Sequence, residues 1–355
     1  MPLRMPLTVL SVAYPFAPVG PDAVGGAEQV LSTLDRALVA AGHRSLVVAC
    51  EGSAVAGTLL PVYAVGGRID ESIRAGVHAQ LRRIVRAALA RCPVDLVHLH
   101  GIDFADCLPP PGVPALATLH LPPGWYPPDV FATGRPDTHL VCVSASQHRA
   151  CPRGARLLPP IPNGTPLERF ATRLTKRRFA LTLSRICPEK GIHTALDAAQ
   201  RAGLPLLVGG RVFPYEAHER YFVEEVQPRL TGGSRFLGPV GGARKRRLLA
   251  TARCLLVPSA APETSSLVAM EAMASGTPVV AFGNGALPEI VEPGVTGFIV
   301  EDAAAMAEAI AAAGRLDPEA CRAAARARFS AERMSNDYLD LYARLSRRTV
   351  NAGAA

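Results

Sequence analysis

Residues 258–278, PSAAPETSSLVAMEAMASGTP, decide how this chain folds. Pro262 and Glu263 precede Thr264, Ser265 and Ser266, all residue types that cap helix N-termini. LVAMEAMA is a strong helix former, and Gly276-Thr277-Pro278 stops it. The spacing predicts a helix whose free N–H groups and dipole make a place for a phosphate. Glu263 then stands at the mouth of that place and Glu271 deeper inside. A carboxylate is a poor phosphate ligand but a good acceptor for sugar hydroxyls, so the pattern points to a ligand carrying both groups.

The flanking segments place this helix in a repeating pattern. CLLVPS (254–259) and PVVAF (278–282) read as strands on either side of it, preceded by FALTLS (179–184), PLLVGG (205–210) and SRFLGPV (234–240). The first half repeats the scheme, with strands predicted over 8–14, 45–50, 94–100, 114–120 and 139–144 and helices over 26–42 and 71–91. Continuous apolar strands between helices mean a parallel sheet covered on both faces. The Pro-rich stretch 157–170 reads as a linker, and 318–347 as helical. The expected fold is α/β: two doubly wound, Rossmann-like halves, with ligands at the strand C-termini facing a cleft.

Composition narrows the class. A chain of 355 residues has room for two cores, and its balance of 49% hydrophobic to 19% charged residues is that of a globular protein rather than a disordered one. The eight cysteines form no CxxC pair, so neither a zinc motif nor a disulfide framework is indicated, and reduced thiols in a cytoplasmic protein are expected. No apolar run is long enough to span a bilayer. The N-terminal MPLRMPLTVLSVAYPF has the charge and apolar run of a leader, but Pro15, Pro18 and the lack of a small-residue cleavage site favour a first strand. A net charge of +8 suits an anionic partner, yet with 5% aromatics and no recognition motif nucleic acid is not expected. Residues 71–91 form a basic amphipathic helix that either lies on anionic lipid at the inner face of a membrane or packs on the sheet; packing is the favoured reading. The basic run 243–247 is taken as a solvated helix start. Only Lys176, Lys190 and Lys245 are lysines, against a large excess of arginine.

Four other places can carry chemistry. Arg185 and Lys190 bracket a turn after the strand at 179–184 and can converge on one anion, the alternative being a solvated loop. Gly25 and Gly26 open a helix directly after a glycine-rich loop, where backbone can approach a ligand closely; Glu28 in its first turn complements the dipole. His120, and His100 with Gly101, end strands, positions that suit either a structural hydrogen bond or a substrate contact. Gly238, Pro239 and Val240 follow a short strand, and Asn163-Gly164 reads as a turn.

The Glu-x7-Glu pair formed by Glu263 and Glu271, with GGAEQV upstream and the Arg185/Lys190 pair between, resembles the retaining glycosyltransferases of family 4, of the GT-B fold, over nearly the whole chain. That resemblance implies domains at 1–165, on the acceptor side, and 166–334, on the donor side, with a helix at 335–355 crossing back to the first. It implies transfer of a sugar from a nucleotide-sugar donor, UDP-sugar favoured, to an acceptor that the residues do not identify. Catalytic roles would fall to His120, Glu263, Arg185 and Lys190. The donor would be held by Gly25, Gly26, Arg185, Lys190, Gly238, Pro239, Val240, Glu263, Thr264, Ser265, Ser266, Leu267, Val268 and Glu271, with His100 and Gly101 on the acceptor side. No cofactor is expected and, without an Asp-x-Asp motif, no metal bridging the diphosphate. Ser265 and Ser266 depart from the family, which places an aromatic or leucine and then glycine there, so a more crowded phosphate turn is expected. The alternatives are a nucleotide-sugar epimerase of the same fold and a non-catalytic nucleotide-sugar-binding partner protein.

Overall fold

A computed structural model describes residues 6–63, 70–132 and 134–352, with side chains described as far as residue 346. The chain forms two compact units, Met1–Asn163 with Glu332–Ala355, and Gly164–Ala331. The divisions fall at 163/164 and 331/332, slightly ahead of the 165/166 and 334/335 expected from the sequence. Residues 1–5 of the expected first strand region and 353–355 of the expected final helix lie outside the described residues.

The first unit runs β1 (Thr8–Val12), α1 (Gly26–Ala40), β2 (Arg44–Cys50), β3 (Thr58–Val62), α2 (Glu71–Arg91), β4 (Leu96–Leu99), β5 (Ala115–Leu119), β6 (Thr138–Cys142), α3 (Ala145–Ala150) and β7 (Leu157–Leu158). Its strands are all parallel, in the order β3-β2-β1-β4-β5-β6-β7. The order reverses between β1 and β4, so the loops after these strands open at a switch point. Every residue of β1, β4 and β5 is buried, as a sheet covered on both faces requires.

The second unit contains β8 (Ala180–Leu183), α4 (Ile192–Arg201), β9 (Leu206–Gly209), α5 (Glu216–Tyr221), β10 (Arg235–Phe236), α6 (Gly242–Thr251), β11 (Cys254–Val257), α7 (Leu267–Ala274), β12 (Val279–Phe282), α8 (Leu287–Ile290), β13 (Gly297–Val300), α9 (Ala303–Ala313) and α10 (Pro318–Arg328). Its parallel sheet has the order β10-β9-β8-β11-β12-β13, reversing between β8 and β11. Alternate residues of the strands feed two cores: Leu181, Leu255 and Val279 face α7 and α10, while Ala180, Cys254 and Val280 face α4 and α9. A last helix, α11 (Ala331–Ala352), belongs from Glu332 onward to the first unit.

The N-terminal segment is a strand, as expected, and the Pro-rich stretch supplies the short edge strand β7 before it becomes a connection. The apolar residues of α2, Val77, Leu81, Val85 and Ala88, are buried in the first core, so the face needed for lipid insertion is already covered. Among the described residues no helix is long and apolar enough to cross a membrane.

α11 is bound to the first sheet by polar groups inside the core. Tyr342 meets His98 Nδ1 at 2.7 Å, Thr118 meets His98 Nε2 at 2.7 Å, and Tyr338 meets Thr118 at 3.0 Å. The side chains of His98, Thr118, Tyr338 and Tyr342 are fully buried, so each bond replaces solvation that no water supplies. Tyr342→Phe is expected to leave His98 Nδ1 without a partner and to lower stability by about 1–3 kcal/mol, read from urea unfolding; an unchanged midpoint would contradict the clamp. Burial also holds the imidazoles of His98 and His100 well below their ordinary pKa. The unfolded chain therefore binds protons that the folded unit refuses. The contribution of these two histidines to stability should be level above about pH 6.5 and fall below it by up to about 1.4 kcal/mol per pH unit for each. Unfolding midpoints measured from pH 8 to pH 5 check the slope, and a flat profile would refute it.

Candidate functional site

The strap between β11 and α7 is fixed by backbone. Glu263 forms an isolated parallel bridge with Gly285, and its carbonyl accepts the Ala286 N–H at 2.7 Å. Gly285 has φ +67°, and a Cβ there would overlap the Glu263 backbone, so this position admits only glycine. Asn284 Nδ2 donates to the Ser259 carbonyl at 2.7 Å, and the N–H groups of Ala260 and Ala261 share the Glu189 carbonyl. The strap therefore presents α7 at a set position, directly beyond the C-terminus of β11.

The N-terminus of α7 is open. Ser266 occupies the cap position, but its hydroxyl makes no capping bond, and the buried Ser265 hydroxyl has no hydrogen-bond partner. The sequence assigned these serines to capping; in the structure Ser266 has φ −133° and ψ 88°, outside the extended conformation usual for a capping residue, and makes no cap bond. Among the described residues the N–H groups of Ser265, Ser266, Leu267 and Val268 donate to no protein acceptor. Four such donors at the positive end of a helix make an anion site.

Each glutamate of the pair carries its own lysine. Glu263 Oε1 lies 2.5 Å from Lys190 Nζ and also accepts the Ser259 hydroxyl. Glu271, 2% exposed inside α7, lies 2.6 Å from Lys245 Nζ. A carboxylate buried this deeply needs a cation, and removing one partner of such a pair typically costs about 3–5 kcal/mol. The basic run on α6 is thus not merely a solvated helix start: Lys245 reaches inward, while Arg244 stays exposed. The third lysine, Lys176, donates to Ala250 O and Thr277 Oγ1, and burial pushes its pKa down to about 8.

Arg185 and Lys190 flank the turn Pro188–Lys190 after β8. Gly191 closes it with φ +61°, where a Cβ would overlap the Pro258 carbonyl, so turn and strap are in backbone contact. The half-buried Arg185 side chain forms no hydrogen bond among the described residues; its charge acts on Glu189 and His218. Gly238 follows β10 with φ +68° and accepts the Gly210 N–H at 2.9 Å, which seats Pro239 and Val240 beside the end of β9. Arg185, Lys190, Glu263 to Val268, Glu271 and residues 238–240 all belong to the second unit.

In the first unit His100 Nδ1 and His120 Nε2 are 3.0 Å apart, with their rings stacked at the ends of β4 and β5. Burial pushes the pKa of His120 down to about 4, so this imidazole is neutral at physiological pH. Two residues absent from the sequence reading hold its backbone. Tyr126 OH accepts the N–H groups of His120 and Leu121, at 2.9 and 3.2 Å, and Gln147 Nε2 donates to the carbonyls of Leu119 and Leu121. Gly101 leaves room for the Asp103 carboxylate, which would have to shift for a Cβ there. Gly25 caps α1 and Gly26 begins it, with the buried Glu28 carboxylate folded back over Gly25; burial raises its pKa.

Sequence comparison matches two parts of the chain to known families: residues 24–169 to "Glycosyltransferase Family 4" and residues 177–314 to "Glycosyl transferases group 1". The D-inositol 3-phosphate glycosyltransferase of Corynebacterium glutamicum is 32% identical over 200 residues, 55% of this chain and 45% of that protein. The chain's matches span less than half the length of such curated relatives. Among solved structures, AviGT4, a glycosyltransferase involved in avilamycin A biosynthesis, is 26% identical with a TM-score of 0.73, covering 96% of this chain and 98% of that one. Anabaena Alr3699/HepE, solved in complex with UDP-glucose, has the same fold at 18% identity and a TM-score of 0.71, covering 94% and 99%. With matched regions that lie one in each half of the chain and together take in most of it, the chain belongs to the group 1, family 4 glycosyltransferases of the GT-B fold.

Proposed function

We propose that this protein transfers a sugar from a nucleotide-sugar donor to a hydroxyl acceptor, with retention at the anomeric carbon, and that its second unit binds the donor. The observation that carries this reading is the uncapped start of α7, where four N–H groups lack acceptors and two carboxylates flank the place a phosphate would take. The diphosphate would rest on the amides of Ser265, Ser266, Leu267 and Val268, with Arg185 and Lys190 supplying charge. Glu271 would accept ribose hydroxyls and Glu263 hydroxyls of the donor sugar, while Gly238, Pro239 and Val240 frame the base. UDP is the favoured nucleotide, a choice supported by the UDP-glucose complex of the Anabaena protein. The name of the Corynebacterium relative suggests a cyclitol phosphate as a first acceptor to try.

Catalysis would be electrostatic. As the bond from the anomeric carbon to the diphosphate breaks, negative charge builds on the leaving oxygen and positive charge on the sugar. The amides, Arg185 and Lys190 oppose the first, and being fixed before the reaction they need little reorganisation. Lys190 already touches Glu263, so one ammonium can link the leaving group to the sugar hydroxyls. The acceptor oxygen attacks from the leaving-group face, and its proton passes to the departing phosphate. A neutral His120 can hydrogen-bond the donor sugar without repelling its developing positive charge. With these cations in place, the diphosphate needs no bridging metal.

Product analysis tests the whole reading: incubation with UDP-sugars and cyclitol or sugar acceptors, in EDTA, should yield a glycoside whose anomeric coupling in proton NMR matches that of the donor. An inverted product, or an altered free nucleotide-sugar as from an epimerase, would contradict it. Arg185→Ala is expected to weaken UDP binding about 10- to 100-fold by calorimetry, the loss of one or two charge-assisted hydrogen bonds; wild-type affinity would remove Arg185 from the site. For His120→Ala and Glu263→Ala the expectation is a fall in turnover of about a hundredfold or more with both variants still folded by circular dichroism, Glu263→Ala at a lower unfolding midpoint because Lys190 loses its partner. Undiminished rates would exclude both from catalysis.

A further inference from the structure

We propose that Cys187, Glu189 and His218, on and beside the turn that carries Arg185 and Lys190, form a binding site for a divalent cation of the zinc class, a proposal that does not rest on the glycosyltransferase reading. One ligand atom from each residue lies within 4.8 Å of the others. Thiolate, carboxylate and imidazole are the three side-chain donors that zinc takes in proteins. Around a tetrahedral ion such donors stand about 3.3–3.6 Å apart, given metal–ligand bonds of about 2.0–2.3 Å. Side-chain rotations that draw the three together by about 1 Å therefore complete the set.

The three groups already interact: the Cys187 thiol lies against the Arg185 carbonyl, at 3.9 Å, and the Glu189 carboxylate, and the charge of Glu189 acts on His218. Glu189 Oε2 and His218 Nδ1 are both shielded from solvent without a hydrogen-bond partner, which is costly for a carboxylate oxygen and a ring nitrogen. Cys187 is fully buried, at the cap of the turn Pro188–Lys190. The Glu189 backbone is pinned by Ala260 and Ala261, so its side chain projects from a fixed point. His218 comes from α5, and its ring is packed edge-to-face by Tyr215 and Phe213, with centroids at 5.1 and 6.5 Å. Phe213 and the half-exposed Tyr215 thus hold the imidazole from one side.

Binding is balanced by the loss of one proton, since the Cys187 thiol enters the complex as thiolate. Thiolate and carboxylate together neutralise the ion, and the neighbouring Arg185 keeps its own charge for the diphosphate. Three protein ligands leave a fourth position for water. An ion held there ties α5 to the turn that carries Arg185 and Lys190, so it would stiffen that turn rather than enter the reaction.

Cobalt(II) titrated into untagged, chelator-treated protein tests the proposal, because thiolate ligation gives a near-ultraviolet charge-transfer band. The expected result is a band saturating at one equivalent, displaced by zinc, with a rise in melting temperature. His218→Ala should weaken binding about 10- to 100-fold, Cys187→Ser should abolish the band, and Cys151→Ser should leave it intact. No saturable band in the native protein overturns the proposal, as does a band that survives Cys187→Ser or moves with Cys151. Should Cys187→Ser fail to fold, His218→Ala decides alone, since that residue lies on a surface helix; unchanged cobalt affinity refutes the site.

Discussion

A carboxylate shielded from water beside an anion site is unstable unless a cation is held against it. The second unit meets that constraint twice, with Lys190 on Glu263 and Lys245 on Glu271. Much of its architecture serves those two contacts. The turn after β8 closes tightly at Gly191 to bring Lys190 against the strap, and α6 lies where Lys245 can reach into α7. The strap itself is locked by Gly285 and Asn284. Charge pairing thus adds to the backbone contacts between turn and strap and ties α6 to α7, and it leaves the start of α7 with donors to spare.

The first unit solves a different problem with neutral groups. Three histidines line up at the ends of β4 and β5, and burial keeps all of them uncharged. His98 fastens α11 to the sheet, while His100 contacts His120 at the strand ends. A fastening of this kind, made of hydroxyl and imidazole rather than ions, avoids the desolvation penalty of buried charge. It also sets the unit's sensitivity to acid.

Much of the fold was legible from apolar strands in series and from helices with clear stops. What was missed has a common physical cause. β3, β7 and β13 are all edge strands, where one side carries no partner and continuous burial is not required. β3 even contains Pro61, which an edge tolerates. At the site, the glutamate pair and the Arg185/Lys190 turn stood out because their spacing is local. Lys245, Tyr126 and Gln147 did not, since each acts on a residue that only the tertiary fold brings near. Ser265 and Ser266 show the converse: their residue types suggest capping, while in the structure neither hydroxyl caps the helix.

The central claim is that the open start of α7 receives a diphosphate. A crystal structure of the protein grown with UDP in the presence of EDTA tests it most directly. The expected density places the β-phosphate within hydrogen-bonding distance of the N–H groups of Ser265 to Val268, with Arg185 and Lys190 against its oxygens and Glu271 on the ribose. A nucleotide bound elsewhere, or an α7 N-terminus that stays empty while UDP binds, would contradict it.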